Sequence, residues 1–277
     1  MGGDDLGSDD EFLTTSVRAE EDDSSVEETA EKSSSKRQRS DKEDSKGDND
    51  ADAPPTKKRN VLLETSRNIL ELSREEQALF LSAALKHYTN LSLEEGAAQK
   101  STEKQIPSVK RLTKCLAEPK STSPKDDSNN SFLDRLLTVA SKNRLKKHTV
   151  KGSPSILIIC QSARRAVAVL KELAPLNAKA AKLFPKQAPL QQQIRELSSG
   201  SNKFALAVGT PQRVLDLLDH SALTLDATQL VVLDGATSNK NFTVCTLPDT
   251  AQSCMNLVHQ HILPKVLKRK DCKLAFC

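Results

Sequence analysis

At 277 residues with 36% hydrophobic residues and a formal net charge of +4, the chain can hold one folded domain with a sizeable core, or two. Six cysteines with no Cys-x-x-Cys pair and five scattered histidines argue against a zinc framework or any other metal site, and no apolar run approaches the ~20 residues of a membrane span. The net charge hides an asymmetry: residues 1–60 carry 18 Asp/Glu against 10 Lys/Arg, a balance of −8, so residues 61–277 sum to +12.

Residues 1–60 are Ser-rich with few, scattered large apolar residues, a composition that cannot bury enough surface to offset chain entropy. They are expected to be a disordered acidic tail without a signal peptide, on a soluble protein of a reducing compartment. Two basic clusters, Lys36-Arg37-Gln38-Arg39 and Lys57-Lys58-Arg59, have the composition of a nuclear localisation signal; short basic runs also arise by chance. Over residues 61–95 the pattern is helical. Ser73 and Glu76 stand at the capping-box spacing, and Ala78, Leu79, Leu81, Ala84, Leu85 and Tyr88 follow on one face. That face needs a partner, either the domain that follows or another protein, which makes Leu79, Leu81, Leu85 and Tyr88 candidate docking residues. Residues 96–130, with Pro107, Pro119 and Pro124, read as an irregular linker with short helical pieces at best.

From residue 131 helices and strands alternate. An amphipathic helix over 131–146 presents Phe132, Leu133, Leu136, Leu137 and Ala140. Ile156–Cys160, Ala180–Phe184, Phe204–Val208, Leu230–Leu233 and Lys273–Phe276 read as strands, three of them continuous apolar runs suited to burial on both faces. Helices are expected over 162–174, 190–197, 211–218 and 250–267, with Pro211 at a first turn, where helices accept it. The alternation predicts an α/β domain over 131–277, a mostly parallel sheet with flanking helices. Cys160 and Cys272 fall in strand-like runs, as core thiols do.

The order of these pieces resembles the first RecA-like domain of a DEAD-box RNA helicase. Gly209-Thr210-Pro211-Gln212-Arg213 matches that family's Gly-Thr-Pro-Gly-Arg with one change. Where the family has Pro-Thr-Arg-Glu-Leu-Ala, Ser162 keeps a hydroxyl and Ala166 the small residue, whereas Gln161 and Ala163 depart from it. Leu230-Val231-Val232-Leu233-Asp234 leads to the acidic motif, but Gly235 stands where the catalytic Glu belongs and Thr237 where its last Asp does. ATP hydrolysis needs a phosphate-cradling loop with its Lys, an acid for magnesium and a residue to orient water. No Gly-x-x-x-x-Gly-Lys-Ser/Thr run occurs in the sequence. The expectation is therefore a domain without catalytic residues or a cofactor.

Binding is a separate question. In open α/β sheets ligands collect at the carboxyl ends of the strands, and helix N-termini favour phosphate there. Gly209, Thr210 and Arg213 are thus candidate RNA-backbone contacts; Arg213 either binds phosphate or braces its turn. Ser162, Arg164 and Arg165 are further candidates, against the plain alternative of solvated helix arginines. With one Tyr, no Trp and seven Phe, a base-stacking platform is not expected, so recognition would be led by backbone and shape.

The acidic tail spotted with Lys/Arg, the segment Ile158 to Ala166, Lys182-Leu183-Phe184, Gly209 to Arg213 and the broken motif at Leu233-Asp234 together resemble the Cms-type ribosomal small-subunit proteins, degenerate helicase-like factors. The resemblance covers 131–277 well and 61–95 loosely. It implies a degenerate P-loop-NTPase-like fold and a non-catalytic nucleolar factor of the small-subunit precursor. Its implied partners are pre-ribosomal RNA and precursor proteins, without membrane contact or homo-oligomerisation. A pure protein-docking scaffold is the alternative; a truncated ATP-dependent helicase is a third reading.

Overall fold

The computed structural model describes residues 14–16, 55–89, 91–93, 105–119, 131–140, 150–199 and 203–277. Its centre is a sheet of five parallel strands: β4 (Ile156–Ile159), β5 (Lys179–Leu183), β6 (Leu206–Gly209), β7 (Leu230–Leu233) and β8 (Lys273–Phe276), in the order β5-β6-β4-β7-β8. Ile158 lies opposite Val208 on one side and Val232 on the other, so the three most apolar runs form the middle of the sheet. Every residue of β4, β6 and β7 is buried, as their unbroken apolar sequences require of strands covered on both faces.

Alternation along the strands feeds two separate cores. Ile156, Ile158, Leu206, Val208 and Val232 face one way, against helices α4 (Phe132–Val139) and α5 (Ala163–Glu172). Leu157, Ile159, Ala207, Val231 and Leu233 face the other, into the larger core. That side is covered by α6 (Leu190–Ser198), α7 (Pro211–Asp219), α8 (Ala251–Leu257) and α9 (Leu263–Lys268), and by the helices before residue 120. Between α8 and α9 the expected single helix passes through a π turn, Val258–Ile262. There the Leu263 N–H reaches back to the Val258 carbonyl, and Pro264, having no N–H, cannot continue the α-helical ladder.

Three boundaries differ from the sequence reading. First, the helical segment expected over 61–95 is the pair α1 (Pro55–Arg67) and α2 (Arg74–Thr89), and of the two partners open to its apolar face it takes the domain that follows. The capping box forms, with Ser73 N–H donating to Glu76 Oε2 at 2.8 Å and Glu76 N–H to Ser73 Oγ at 3.3 Å, and it starts α2. Ala78, Phe80, Leu81, Ala84 and Leu85 then bury into the larger core, and Phe80 meets Phe276 of β8 edge to face at 6.2 Å. Second, the stretch read as a linker holds the two-residue strand β3 (Gln105–Ile106), parallel to β2 (Ser92–Leu93), and helix α3 (Val109–Cys115). Ile106, Leu112, Cys115 and Leu116 are core residues, because helical spacing puts Leu112, Cys115 and Leu116 on one side. Leu116 makes a parallel bridge to Leu274, and Ala117 N–H donates to the Leu274 carbonyl at 2.7 Å, extending the sheet beyond β8. Residues 120–130 lie outside the described residues. Third, of the expected tail, β1 (Thr14–Ser16) pairs antiparallel with β5, Thr14 opposite Ala181, and α1 already begins at Pro55; residues 1–13 and 17–54 lie outside the described residues.

Candidate functional site

The chain runs from β4 towards β5 on one side and from β7 towards β8 on the other, so the topological switch point lies between β4 and β7. At the carboxyl ends of those strands such a crevice is the usual ligand site. Here side chains of the protein fill it. Ser162 caps α5, its Oγ accepting from Arg165 N–H at 3.2 Å. One turn along, Arg165 reaches across to Asp234 at the end of β7: Nε is 2.8 Å from Oδ2 and Nη2 is 3.2 Å from Oδ1. The Asp234 side chain is wholly buried, and Oδ1 also accepts from Ala236 N–H at 3.2 Å. Arg165 Nη1 lies 3.2 Å from Glu172 Oε1, and its guanidinium stands 5.8 Å from the centre of the Phe132 ring. Burial works against the charged guanidinium, but the hydrogen bond and charge of Asp234, with Glu172, overcome it and raise the Arg165 pKa.

The second wall is the turn after β6. Gly209 is required by close approach: a Cβ there would stand 2.5 Å from the Leu183 carbonyl oxygen and 2.7 Å from Val214 Cγ2. The Thr210 N–H donates to Leu183 O at 3.1 Å, and the half-buried Thr210 precedes α7 with Pro211 in its first turn. Arg213 is 8% exposed; its Nη1 donates to the Ala188 carbonyl at 2.7 Å and to Gln193 Oε1 at 2.8 Å. Gln193, itself buried, donates to Lys182 O at 3.2 Å. Of the two roles open to Arg213, this geometry is that of a brace tying α7 to α6 and the loop before it.

The third element is one that sequence reasoning missed. The turn joining α1 to α2 lies directly over Gly235, where a Cβ would come within 2.5 Å of Leu70 Cδ2 and 3.1 Å of Ile69 Cγ2. Ser66 Oγ, 3.2 Å from Thr246 Oγ1, pins the same helix pair to the loop after β7. Nothing local to either segment announces this contact. The only signal was the substitution itself, a glycine where the resemblance expects an acid.

The expected RNA-contact residues are therefore close in space but differ in availability. Gly209 is buried, Arg165 and Arg213 are engaged internally, Ser162 and Thr210 are half-buried, and Arg164 is exposed. Of the expected docking residues, Leu81 and Leu85 are core, Tyr88 is half-buried against that core, and Leu79 is 56% exposed; the apolar face of α2 is buried in the protein's own core. Lys57, Lys58 and Arg59 fall in α1, while Lys36, Arg37 and Arg39 lie outside the described residues. All six cysteines are free and buried. Among the described residues no three His, Cys, Asp or Glu side chains are grouped as metal ligands, and no helix is long and apolar enough to cross a membrane.

Residues 14–277 match the family model described as CMS1, U3-containing 90S pre-ribosomal complex subunit. Among curated proteins, the chain is 40% identical to Protein CMSS1 of Danio rerio over 91 residues, which are 32% of this chain and 31% of that protein. It is 31% identical to Protein cms1 of Schizosaccharomyces pombe over 136 residues, 47% of this chain and 48% of that one. The matched stretches thus span less than half the length of these relatives. Among solved structures, Saccharomyces cerevisiae Dbp5 bound to RNA and ADP BeF3 is similar at 16% identity with a TM-score of 0.33, over 74% of this chain and 44% of that one.

Proposed function

Since the chain belongs to the CMS1 family, we propose that it is a non-catalytic subunit of the nucleolar small-subunit precursor, where it holds pre-ribosomal RNA, protein neighbours or both through its helicase-like domain. The observation that carries this reading is the state of Asp234. In the resemblance this acid would serve magnesium and nucleotide; here both of its oxygens are held by Arg165, and Leu70 covers the neighbouring Gly235. A metal would have to displace the arginine that neutralises this buried carboxylate, and the sequence offers no phosphate loop to bind what the metal would serve.

RNA contact is supported by charge: residues 61–277 sum to +12, a balance suited to a polyanion. Nuclear entry is assigned to the clusters at 36–39 and 57–59. The scaffold reading gains from the internal engagement of Arg165 and Arg213, which removes two of the cations expected to touch RNA.

The test is purification of the tagged protein from nuclear extract with and without RNase, alongside a magnesium-dependent ATP-binding and phosphate-release assay. Recovery of small-subunit precursor components and RNA, with neither ATP binding nor RNA-stimulated phosphate release, is the expected outcome. RNase-insensitive recovery of protein partners by a protein with no RNA affinity selects the scaffold reading. RNA-stimulated ATP hydrolysis overturns both.

A further inference from the structure

We infer that RNA phosphates are bound not at the helicase-like motif loops but in a basic cleft at the opposite end of the sheet, by the amino end of β8. This rests on the RNA-contact part of the proposed function and adds a location to it.

The cleft measures about 590 Å³, within the ~300–1,000 Å³ typical of small-ligand sites, so it admits a nucleotide unit and not merely a lone ion. Five cations converge on it from three places in the chain. Arg74 comes from the first turn of α2, Arg111 and Lys114 from α3, and Lys270 and Lys273 from the turn into β8. Among the described residues that line it, the one carboxylate is that of Glu118, which pairs with Arg74. The walls are held in place: Lys273 Nζ donates to the Lys114 carbonyl at 2.7 Å, and Leu116 and Ala117 are tied to Leu274 in the sheet. Lys114 and Lys270 are exposed and flank the opening, with Lys110 one turn before Lys114 on α3 and Lys268 at the end of α9, both also exposed. Outside the cleft, Lys265 and Arg269 pair with Asp226 and Asp271.

The contrast with the other end of the sheet locates the site. There Arg165 is bound to Asp234 and Glu172, Arg213 to Ala188 and Gln193, and Arg164 is the exposed arginine among the expected contacts. A phosphodiester chain carries a charge at every nucleotide and is attracted by clustered accessible cations. Lys114 and Lys270, exposed on a rim of helix ends and a strand start with Lys110 and Lys268 beside them, meet that requirement, and Arg74, Arg111 and Lys273 add positive charge behind them. The buried Val266 and half-buried Leu267 supply only the floor.

The experiment uses the full chain and a fluorescein-labelled single-stranded oligouridylate, followed by anisotropy across a salt series. Lys114→Glu combined with Lys270→Glu is expected to weaken binding at least tenfold. It should also make the log–log salt slope shallower by about 1.4, two phosphates at ~0.7 each. Arg164→Glu, at the other end of the sheet, should change affinity less than twofold. Both lysines are exposed, so thermal melting should be unchanged; ultraviolet cross-linking of wild-type protein gives a second measurement, with adducts expected in peptides around 110–118 and 266–273. If Arg164→Glu is the damaging change and adducts fall around 205–219, the cleft is refuted while RNA contact stands. If wild-type protein binds no RNA even at low salt, the RNA-contact reading falls and this inference with it. If polyglutamate of matched charge displaces the RNA at equal concentration, the cleft takes acidic peptides and the inference is overturned.

Discussion

Leu70 sits over Gly235 so closely that a side chain at that position would have to enter its methyl group, with Cβ 2.5 Å from Cδ2. Gly235 N–H at the same time donates to the Cys277 carbonyl at 2.7 Å, which fixes the backbone against retreat. The glycine is thus a packing requirement for docking the α1–α2 pair as well as the loss of an acid. Gly235→Ala is expected to destabilise the protein by about 1–3 kcal/mol, the usual cost of overpacking. Leu70→Ala in the same chain should return part of that loss, giving a non-additive pair in urea unfolding. Gly235→Glu should destabilise more and still release no phosphate from ATP. A stable Gly235→Glu protein would show that the helix pair does not cover this position in solution.

The Arg165–Asp234 pair should be unequal under mutation. The Asp234 side chain is wholly buried, whereas Arg165 is 20% exposed and keeps Glu172 as a second partner. Arg165→Leu strands a buried carboxylate and is expected to cost about 3–5 kcal/mol. Asp234→Asn leaves a neutral acceptor and a guanidinium that still has solvent and Glu172, so it should cost clearly less. Equal losses in denaturant titrations would mean that the crevice is more hydrated than its burial indicates.

Arg213 supplies a test of brace against phosphate contact. Removing it leaves the Ala188 carbonyl and Gln193 Oε1 without their donor in a buried place, and Arg213→Ala should lower stability by about 1–3 kcal/mol. Arg213→Glu should be worse, since it adds an unpaired buried charge. The salt slope of RNA binding, measured on whatever folded Arg213→Ala protein remains, should match wild type. A shallower slope in a fully stable variant would return Arg213 to the RNA surface.

Acidification should act through His259. Burial in the π turn lowers its pKa below the ordinary 6.5, with a hydrogen bond to the Gln105 backbone opposing the shift. The unfolded chain therefore takes up this proton more readily than the folded one. The stability contributed by neutral His259 is complete above about 6.5 and is lost as pH falls through the folded-state value. Urea midpoints between pH 7.5 and 5.0 should fall more steeply for wild type than for His259→Gln. Parallel profiles would mean that the ring is solvated in the native state.

Local chemistry carried much of the fold. The runs at 156–160, 204–208 and 230–233 specify strands buried on both faces because no residue in them tolerates water, and they became the central strands. Ser73 with Glu76, and Pro211 after Gly209-Thr210, mark helix starts because the signals are contained within one turn. The lack of a phosphate loop is a property of the sequence alone. Tertiary structure decided what the faces met and which charges were left for a ligand. Periodicity declared one face of the helix after Ser73 apolar, but only packing gave it Phe276 as a neighbour rather than another protein. An arginine one turn into a helix reads alike whether it faces solvent or a carboxylate. The parallel alignment of β4 with β7 brings Asp234 within reach of Arg165, and the approach of α6 to α7 does the same for Gln193 and Arg213. Those contacts join residues remote in sequence, so their energies depend on positions that no local pattern encodes.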